Sequence, residues 1–269
     1  MLKREPLHSI RFAQSKAWSL ALDEALALAD ADWTSHFNQG KHNGGWQGVA
    51  LRASALSSVP IAPGEHAQEF YKDQAWLSAC PGLKALVSEI PCALKSVRVL
   101  RLLPGGEIHE HRDAGVSLKH GEVRLHCVLQ THEQVYLYLK GRRVPMRQGE
   151  WWYLDVSQPH RVVNRSAQPR LHLVLDCQVN DWLQAQLHDG DAGQPWIDPL
   201  DPQEQFQHFS ERVFQDEGIQ ASLMAQTDRQ GFCAAVLEAG HAAGYRFGIA
   251  ELQSTMNLNH RAWTEQWIL

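Results

Sequence analysis

Residues 98–130 read RVLRLLPGGEIHEHRDAGVSLKHGEVRLHCVLQ, and residues 149–176 read GEWWYLDVSQPHRVVNRSAQPRLHLVLD. Apolar and polar residues alternate in short runs, the period of a strand with one face in a core. From Ser96 onward such runs recur over 97–103, 107–113, 122–130, 134–139, 142–147, 151–155, 160–165 and 170–178. Pro104-Gly105-Gly106, Gly121, Gly141 and Gly149 punctuate them. Short strands at this spacing predict an all-β sandwich or barrel, and a jelly-roll or cupin-like double sheet accommodates them. Periodicity alone does not choose among sandwich topologies.

The same stretch carries the chemistry. Residues two apart on a strand leave one face, so His111 and Asp113 can aim at a single atom. His160 opens a later strand, behind Gln158-Pro159. Two imidazoles and one carboxylate, with three positions left open, make the facial triad of a non-haem Fe(II) centre. The set has no thiolate, which disfavours a structural zinc. His109 shares the parity of His111 and offers a second way to compose the triad. Arg170 follows ten residues after His160, in an alternating run. A guanidinium fork matches a planar carboxylate. Arg124 and His126 lie two apart on one strand and face the same way. The blander readings are a structural histidine in a strand and, for Arg124, a surface charge on an edge strand.

This ordered set resembles the aspartyl/asparaginyl β-hydroxylase family, Fe(II)/2-oxoglutarate dioxygenases on a double-stranded β-helix. The likeness lies in His111-x-Asp113, Arg124-x-His126, the distal His160 and the late Arg170. Pro104-Gly105, Asp155, Ser157, Gly45-Trp46 and Ala50-Leu51-Arg52 add to it, over roughly residues 30 to 185. Some members carry glycine where this chain keeps Asp113. The resemblance implies that His111, Asp113 and His160 are the metal ligands and catalytic centre, with His109 either supporting a ligand from behind or at the pocket rim. It implies Fe(II), with 2-oxoglutarate and O2 as cosubstrates. Arg170 would hold the distal carboxylate of 2-oxoglutarate, and Arg124 with His126 the other. The implied reaction hydroxylates an unactivated C–H of an amino acid, or of an Asp/Asn-type residue in a peptide, releasing succinate and CO2. With Asp113 in place, hydroxylation is expected rather than halogenation.

Two rivals are a cupin-type metal enzyme without 2-oxoglutarate and a non-catalytic jelly-roll binding protein. Arg170 argues against both, since neither needs a buried cation there. Asp155 and Ser157 are expected to orient the loop before His160 or to bond its second nitrogen. His172 shares a face with Arg170. Of Trp151 and Trp152, one is expected in the core and the other at the pocket wall. Arg52 and Arg101 are candidates for a substrate carboxylate, and Arg98 ranks behind them for its opposite parity to Arg101.

Upstream, residues 15–31 predict a helix capped by Ser15, with Trp18, Leu22, Ala25, Leu26 and Ala29 on one face. A turn at Asn43-Gly44-Gly45 leads to a strand over 46–52. Residues 53–68 form a loop of lid or surface type, and 81–89 a short helix with proline near its start. Downstream, 188–202 (HDGDAGQPWIDPLDP) reads as a linker. Helical periodicity follows at Phe206, Phe209, Val213 and Phe214, then at Phe232, Val236 and Leu237, with a stop at Gly244-Tyr245 and a short helix over 250–256. Phe232, Ala242, Gly244-Tyr245, Phe247 and Glu251-Leu252 resemble the nif-type leader-peptide domain, which hints at a peptide substrate. A helical appendage that covers a barrel edge or makes a homodimer is the plainer alternative.

The expected fold is therefore mainly β with flanking helices, plus a small C-terminal all-α domain. Its parts are an oxygenase domain over 1–187, the linker over 188–202 and the helical unit over 203–269. A net charge of −5 gives no drive toward nucleic acid or an anionic membrane. No run approaches the ~18 apolar residues of a membrane span. Five scattered cysteines without a CxxC predict free, buried thiols and a cytoplasmic setting.

Overall fold

A computed structural model describes residues 8–64, 66–194 and 201–265, with side chains through 259. Residues 195–200 of the expected linker lie outside that set. The chain divides into two compact units, Met1–Trp196 and Ile197–Leu269.

Among the described residues the first unit holds twelve strands: β1 (Ser9–Gln14), β2 (Thr34–Ser35), β3 (Trp46–Ser54), β4 (Tyr71–Asp73), β5 (Leu94–Leu102), β6 (Glu107–His111), β7 (Glu122–Gln130), β8 (Val135–Leu139), β9 (Arg142–Arg143), β10 (Glu150–Leu154), β11 (His160–Asn164) and β12 (Arg170–Gln178). Its helices are α1 (Trp18–Ala27), α2 (Ala75–Ala79), α3 (Pro81–Ser88) and α4 (Asp181–Asp189). The major sheet runs β1-β10-β7-β12-β5-β3-β2, with β4 on β3, and the minor sheet runs β6-β11-β8-β9. Every named pairing is antiparallel. This is the jelly-roll, double-stranded β-helix arrangement, with helices on the flank.

Alternation along the central strands sorts side chains into two layers. On β12, Leu171, Leu173 and Leu175 join the core under α1, α3 and α4. On β7, Val123, Leu125, Cys127 and Leu129 do the same. The opposite face packs on the minor sheet through Leu100, Leu102, Val128, Trp152 and Val174, which meet Ile108, Leu137 and Val162. Each buried aliphatic side chain contributes about 1.5–3 kcal/mol. Trp151 and Trp152 are both fully buried, Trp151 under the helices and Trp152 between the sheets. Trp152 is thus core rather than pocket wall. Its indole N–H donates to Glu150 at 2.9 Å.

The first helix is shorter than expected, and its buried residues are Ala21 and Ala25, while Leu26 is 52% exposed. Small residues face inward because α3 comes very close. A Cβ on Gly82 would lie 2.8 Å from the Ala21 nitrogen. Glu24 accepts the Gly82 and Leu83 N–H groups at 2.8 Å each, satisfying the start of α3. Ser15 does not cap α1 in the expected way. The N-cap is Ala17, whose N–H donates to Ser15 Oγ, and that hydroxyl donates to Glu89.

The second unit holds α5 (Pro202–Gln215), α6 (Glu217–Met224), α7 (Arg229–Ala242) and α8 (Ile249–Glu265). Asp201, Asp216 and Asp228 accept the first N–H groups of α5, α6 and α7. Phe206, Phe209, Leu223, Cys233, Val236, Phe247 and Leu252 make its core, whereas Phe214 is exposed. Gly244, at φ +89°, follows the end of α7. No helix among the described residues is long and apolar enough to cross a membrane.

Candidate active site

The strand register brings the expected ligands together. His111 on β6 lies directly opposite His160 on β11, and their rings are 4.3 Å apart between centroids. The next register pair is Ile108 with Val162, so β6 carries an extra residue between them. This bulge sends Ile108 and His111 inward together and leaves the His109 side chain exposed. His109 acts only through its backbone, because its carbonyl takes the His111 Nδ1 contact at 2.7 Å. His160 Nδ1 meets the Gln158 carbonyl at 2.9 Å in the same way. Both rings are thereby fixed as Nδ1–H donors, with Nε2 left for a metal. The second nitrogen of His160 is thus held by Gln158. Ser157 Oγ instead donates to Asp155 Oδ1 at 2.5 Å, closing the turn before the strand.

Asp113 stands beyond the end of β6, where its N–H donates to the Val156 carbonyl at 2.9 Å. One ligand atom from each of His111, Asp113 and His160 lies within 4.8 Å of the others. Asp113 Oδ1 is 3.6 Å from His111 Nε2 and 3.8 Å from Lys41 Nζ, while Oδ2 accepts from Arg124 Nη1. Burial pushes the Asp113 carboxyl up, but Arg124, His160, His111 and Lys41 outweigh it and hold it below the usual carboxylate range. Burial also lowers His111 and takes His160 down to about 4. At neutral pH the trio is one carboxylate and two neutral imidazoles, the state in which all three bind a metal.

A second polar group lies on the face of the major sheet that packs toward the minor sheet. Arg170 is 4% exposed, and its Nη2 meets His172 Nδ1 at 2.9 Å. Among the described residues no carboxylate pairs with it, and burial alone lowers its guanidinium to about 9. The His172 ring lies 5.7 Å from that of His126. Neither ring nitrogen of His126 has a partner among the described residues, although both are buried. Arg124, by contrast, is fully engaged. Nε and Nη2 hold Asp176 at 2.7 and 3.0 Å, and Nη1 holds Asp113.

A cavity of about 360 Å³ opens beside the trio, bordered by His36, Lys41, Trp46, Arg98, Asp113 and Arg124. His36 stacks on Trp46 at 3.3 Å. Burial, with Arg98 and His42 nearby, lowers His36 to about 3. Arg98 belongs to this wall, which reverses the expectation from sequence. Arg101 instead stacks on Trp33 and bonds Gln47 and Asp30. Arg52 bonds Asp73 and the Leu94 carbonyl. Asp176 and Lys41 are further charged residues that the sequence reading did not single out. Asp176 shared the parity of Arg170 and His172, and that was the one signal available.

Two solved structures give partial fold likenesses. The Pseudomonas putida prolyl-4-hydroxylase aligns at a TM-score of 0.37 and 16% identity, over 61% of this chain and 86% of that one. A Burkholderia pseudomallei oxidoreductase of the 2OG-Fe(II) oxygenase family aligns at 0.37 and 13%, over 64% and 84%. The L-proline cis-4-hydroxylase of Rhizobium meliloti (strain 1021) is 28% identical over 113 residues, 42% of this chain. The match spans 40% of that relative's length. The family model for aspartyl/asparaginyl beta-hydroxylases matches residues 15–179, which takes in β2 to β12, the trio of His111, Asp113 and His160, and Arg170. With well over half of its length inside that match, the chain belongs to the aspartyl/asparaginyl beta-hydroxylase family.

Proposed function

We propose that the protein is an Fe(II)- and 2-oxoglutarate-dependent hydroxylase. It acts on an unactivated C–H of an amino acid, or of an Asp/Asn-type residue in a peptide, and releases succinate and CO2. One observation carries this reading: two anchored imidazoles and an ionised carboxylate from the minor-sheet side converge on one point, and the facing major sheet buries an arginine that no carboxylate among the described residues neutralises. The donor set suits Fe(II), and it leaves open positions. The free cation of Arg170 and the orphaned ring nitrogens of His126 suit a dicarboxylate that chelates through one end. Bound iron, with O2 and 2-oxoglutarate, would supply the oxidising power. The protein's own work is to aim the two Nε2 atoms, keep Asp113 ionised, hold the cosubstrate at Arg170 and admit the substrate through the cavity beside Trp46 and Arg98. The relative named for L-proline favours a free amino acid, and the leader-peptide likeness of the second unit favours a peptide. Arg98, which borders the cavity, is a better candidate for a substrate carboxylate than Arg52 or Arg101.

Anaerobic addition of Fe(II) and 2-oxoglutarate is expected to produce the weak visible charge-transfer band of the chelate. His111→Ala is expected to abolish it. A wild-type protein without the band, or a His111→Ala variant that keeps it in full, removes the proposal.

Among the described residues, the core clusters of the first unit draw on residues 10–187. A chain ending at Trp196 is therefore expected to fold and to keep forming succinate without added substrate. Insolubility or loss of sheet signal in circular dichroism would show that the helical unit is needed for folding.

A further inference from the structure

Asp176 is 1% exposed on β12, and nothing in the proposed reaction uses it directly. Its Oδ1 accepts from Arg124 Nε at 2.7 Å. Its Oδ2 accepts from Arg98 Nη2 at 2.6 Å, Ser96 Oγ at 2.7 Å and Arg124 Nη2 at 3.0 Å. The register sets Asp176 directly opposite Arg124, so two neighbouring strands fix the pair. The remaining nitrogen of Arg124 donates to Asp113 Oδ2. Asp113 Oδ1 is the oxygen that faces His111 Nε2. One guanidinium thus bridges a buried carboxylate and the carboxylate read as a ligand, and it grips Asp113 by Oδ2, leaving Oδ1 to face His111.

Resting on the reading of His111, Asp113 and His160 as metal ligands, we propose that Asp176 is a positioning residue for Asp113, acting through Arg124. It locks the guanidinium, and the guanidinium restricts Asp113 to ligation through Oδ1 alone. Ligation through one oxygen keeps three positions open, and two-oxygen ligation would close one of them. Charge works in the same direction. Asp176 and Asp113 offset Arg98 and Arg124, and with Lys41 3.8 Å from Asp113 Oδ1 as a further positive charge, the negative charge of Asp176 limits the repulsion that a divalent cation meets. Without Asp176, two guanidinium charges would stand behind a single carboxylate. Each nitrogen of Arg124 is committed to a protein carboxylate, which makes it a holder of Asp113 rather than of the cosubstrate.

The test is a Mn(II) titration without 2-oxoglutarate, followed by the electron paramagnetic resonance signal of the free ion. Groups that orient metal ligands typically change affinity about 10–100-fold when lost, and Asp176→Asn is expected to weaken Mn(II) by that factor at unchanged circular dichroism. A folded Asp176→Asn that binds within about threefold of wild type overturns the proposal, being short of the effect of such partners. If that variant does not fold, Arg124→Lys decides. It keeps the charge but cannot reach both carboxylates, and at least about tenfold weaker Mn(II) binding is expected. Unchanged Mn(II) affinity with weakened 2-oxoglutarate would make Arg124 a cosubstrate ligand and overturn the proposal. Failure of the wild type to bind Mn(II) removes the ligand assignment itself, and this inference with it.

Discussion

Replacing Arg170 is expected to weaken 2-oxoglutarate by roughly 30- to 4,000-fold while leaving the ligand-free protein at least as stable as before. The first half follows from the cost of truncating one member of a buried charge pair, about 2–5 kcal/mol, at 1.4 kcal/mol per factor of ten. The second half follows from what Arg170 lacks. Its guanidinium is buried, its contact is His172 Nδ1, and no carboxylate among the described residues compensates it. An uncompensated buried cation costs folding several kcal/mol. Arg170→Met removes that cost and keeps most of the volume, so the urea midpoint of the ligand-free protein is expected to hold or rise. A residue kept for structure gives the opposite pair: stability falls and 2-oxoglutarate affinity follows only as the fold is lost. Isothermal titration with 2-oxoglutarate on the Mn(II)-loaded protein, beside urea unfolding without either, separates the two. Full affinity in Arg170→Met would remove 2-oxoglutarate from the proposed function and leave the metal centre standing.

The strands and the His111-x-Asp113 pair were legible as local patterns, alternation and two-residue spacing, whereas His160 and Arg170 entered through the family resemblance. What was not legible depended on facts that alternation does not contain. Parity separated Arg98 from Arg101 correctly but could not say which face is interior. Both faces of β5 are buried, with Val97 and Val99 under the helices and Leu100 and Leu102 between the sheets. The choice of Arg101 was a choice of the wrong layer. His109 was grouped with His111 by the same counting, and one inserted residue on β6 separates them. Such a bulge leaves little trace in a single sequence. Asp176 was visible as the end of an alternating run. Its role needs Arg98 and Arg124, which lie 78 and 52 residues away in the chain and meet it only through sheet pairing. Small residues on α1 misled in another way. Leu26 looked like core, but the near approach of Gly82 gives that face to Ala21 and Ala25.

Acid is expected to unfold this protein well above the pH at which carboxylates titrate. His36, His126 and His172 are all buried among cations: Arg98 beside His36, Arg170 and Arg124 beside His126, Arg170 beside His172. Burial is the largest cause in each, and the arginines add to it. His36 falls to about 3, and the other two fall well below the ordinary imidazole value. The unfolded chain binds protons at these sites as pH drops through about 6.5, whereas the folded chain does not. More protons on the unfolded side means that stability rises with pH, so it is lost on going from about 6.5 toward 4. Each histidine contributes a slope of up to about 1.4 kcal/mol per pH unit, and three together take about 4 kcal/mol between pH 7.5 and 5.5. That is a large share of the roughly 5–15 kcal/mol that holds a domain folded. Asp176 acts in the same direction only at lower pH, since Arg124 and Arg98 overcome its burial and hold it below the usual carboxylate range. Urea midpoints measured from pH 8 to 5 check the slope. His172→Gln, which cannot take up a proton in either state, is expected to reduce it by one histidine's worth, about 1.4 kcal/mol per unit. A midpoint that stays flat from pH 8 to 5.5 would mean that these rings reach solvent or an acceptor when protonated. The polar layer between the two sheets would then be open to water, and Arg170 would no longer be the buried cation, unneutralised among the described residues, on which the proposed recognition of 2-oxoglutarate rests.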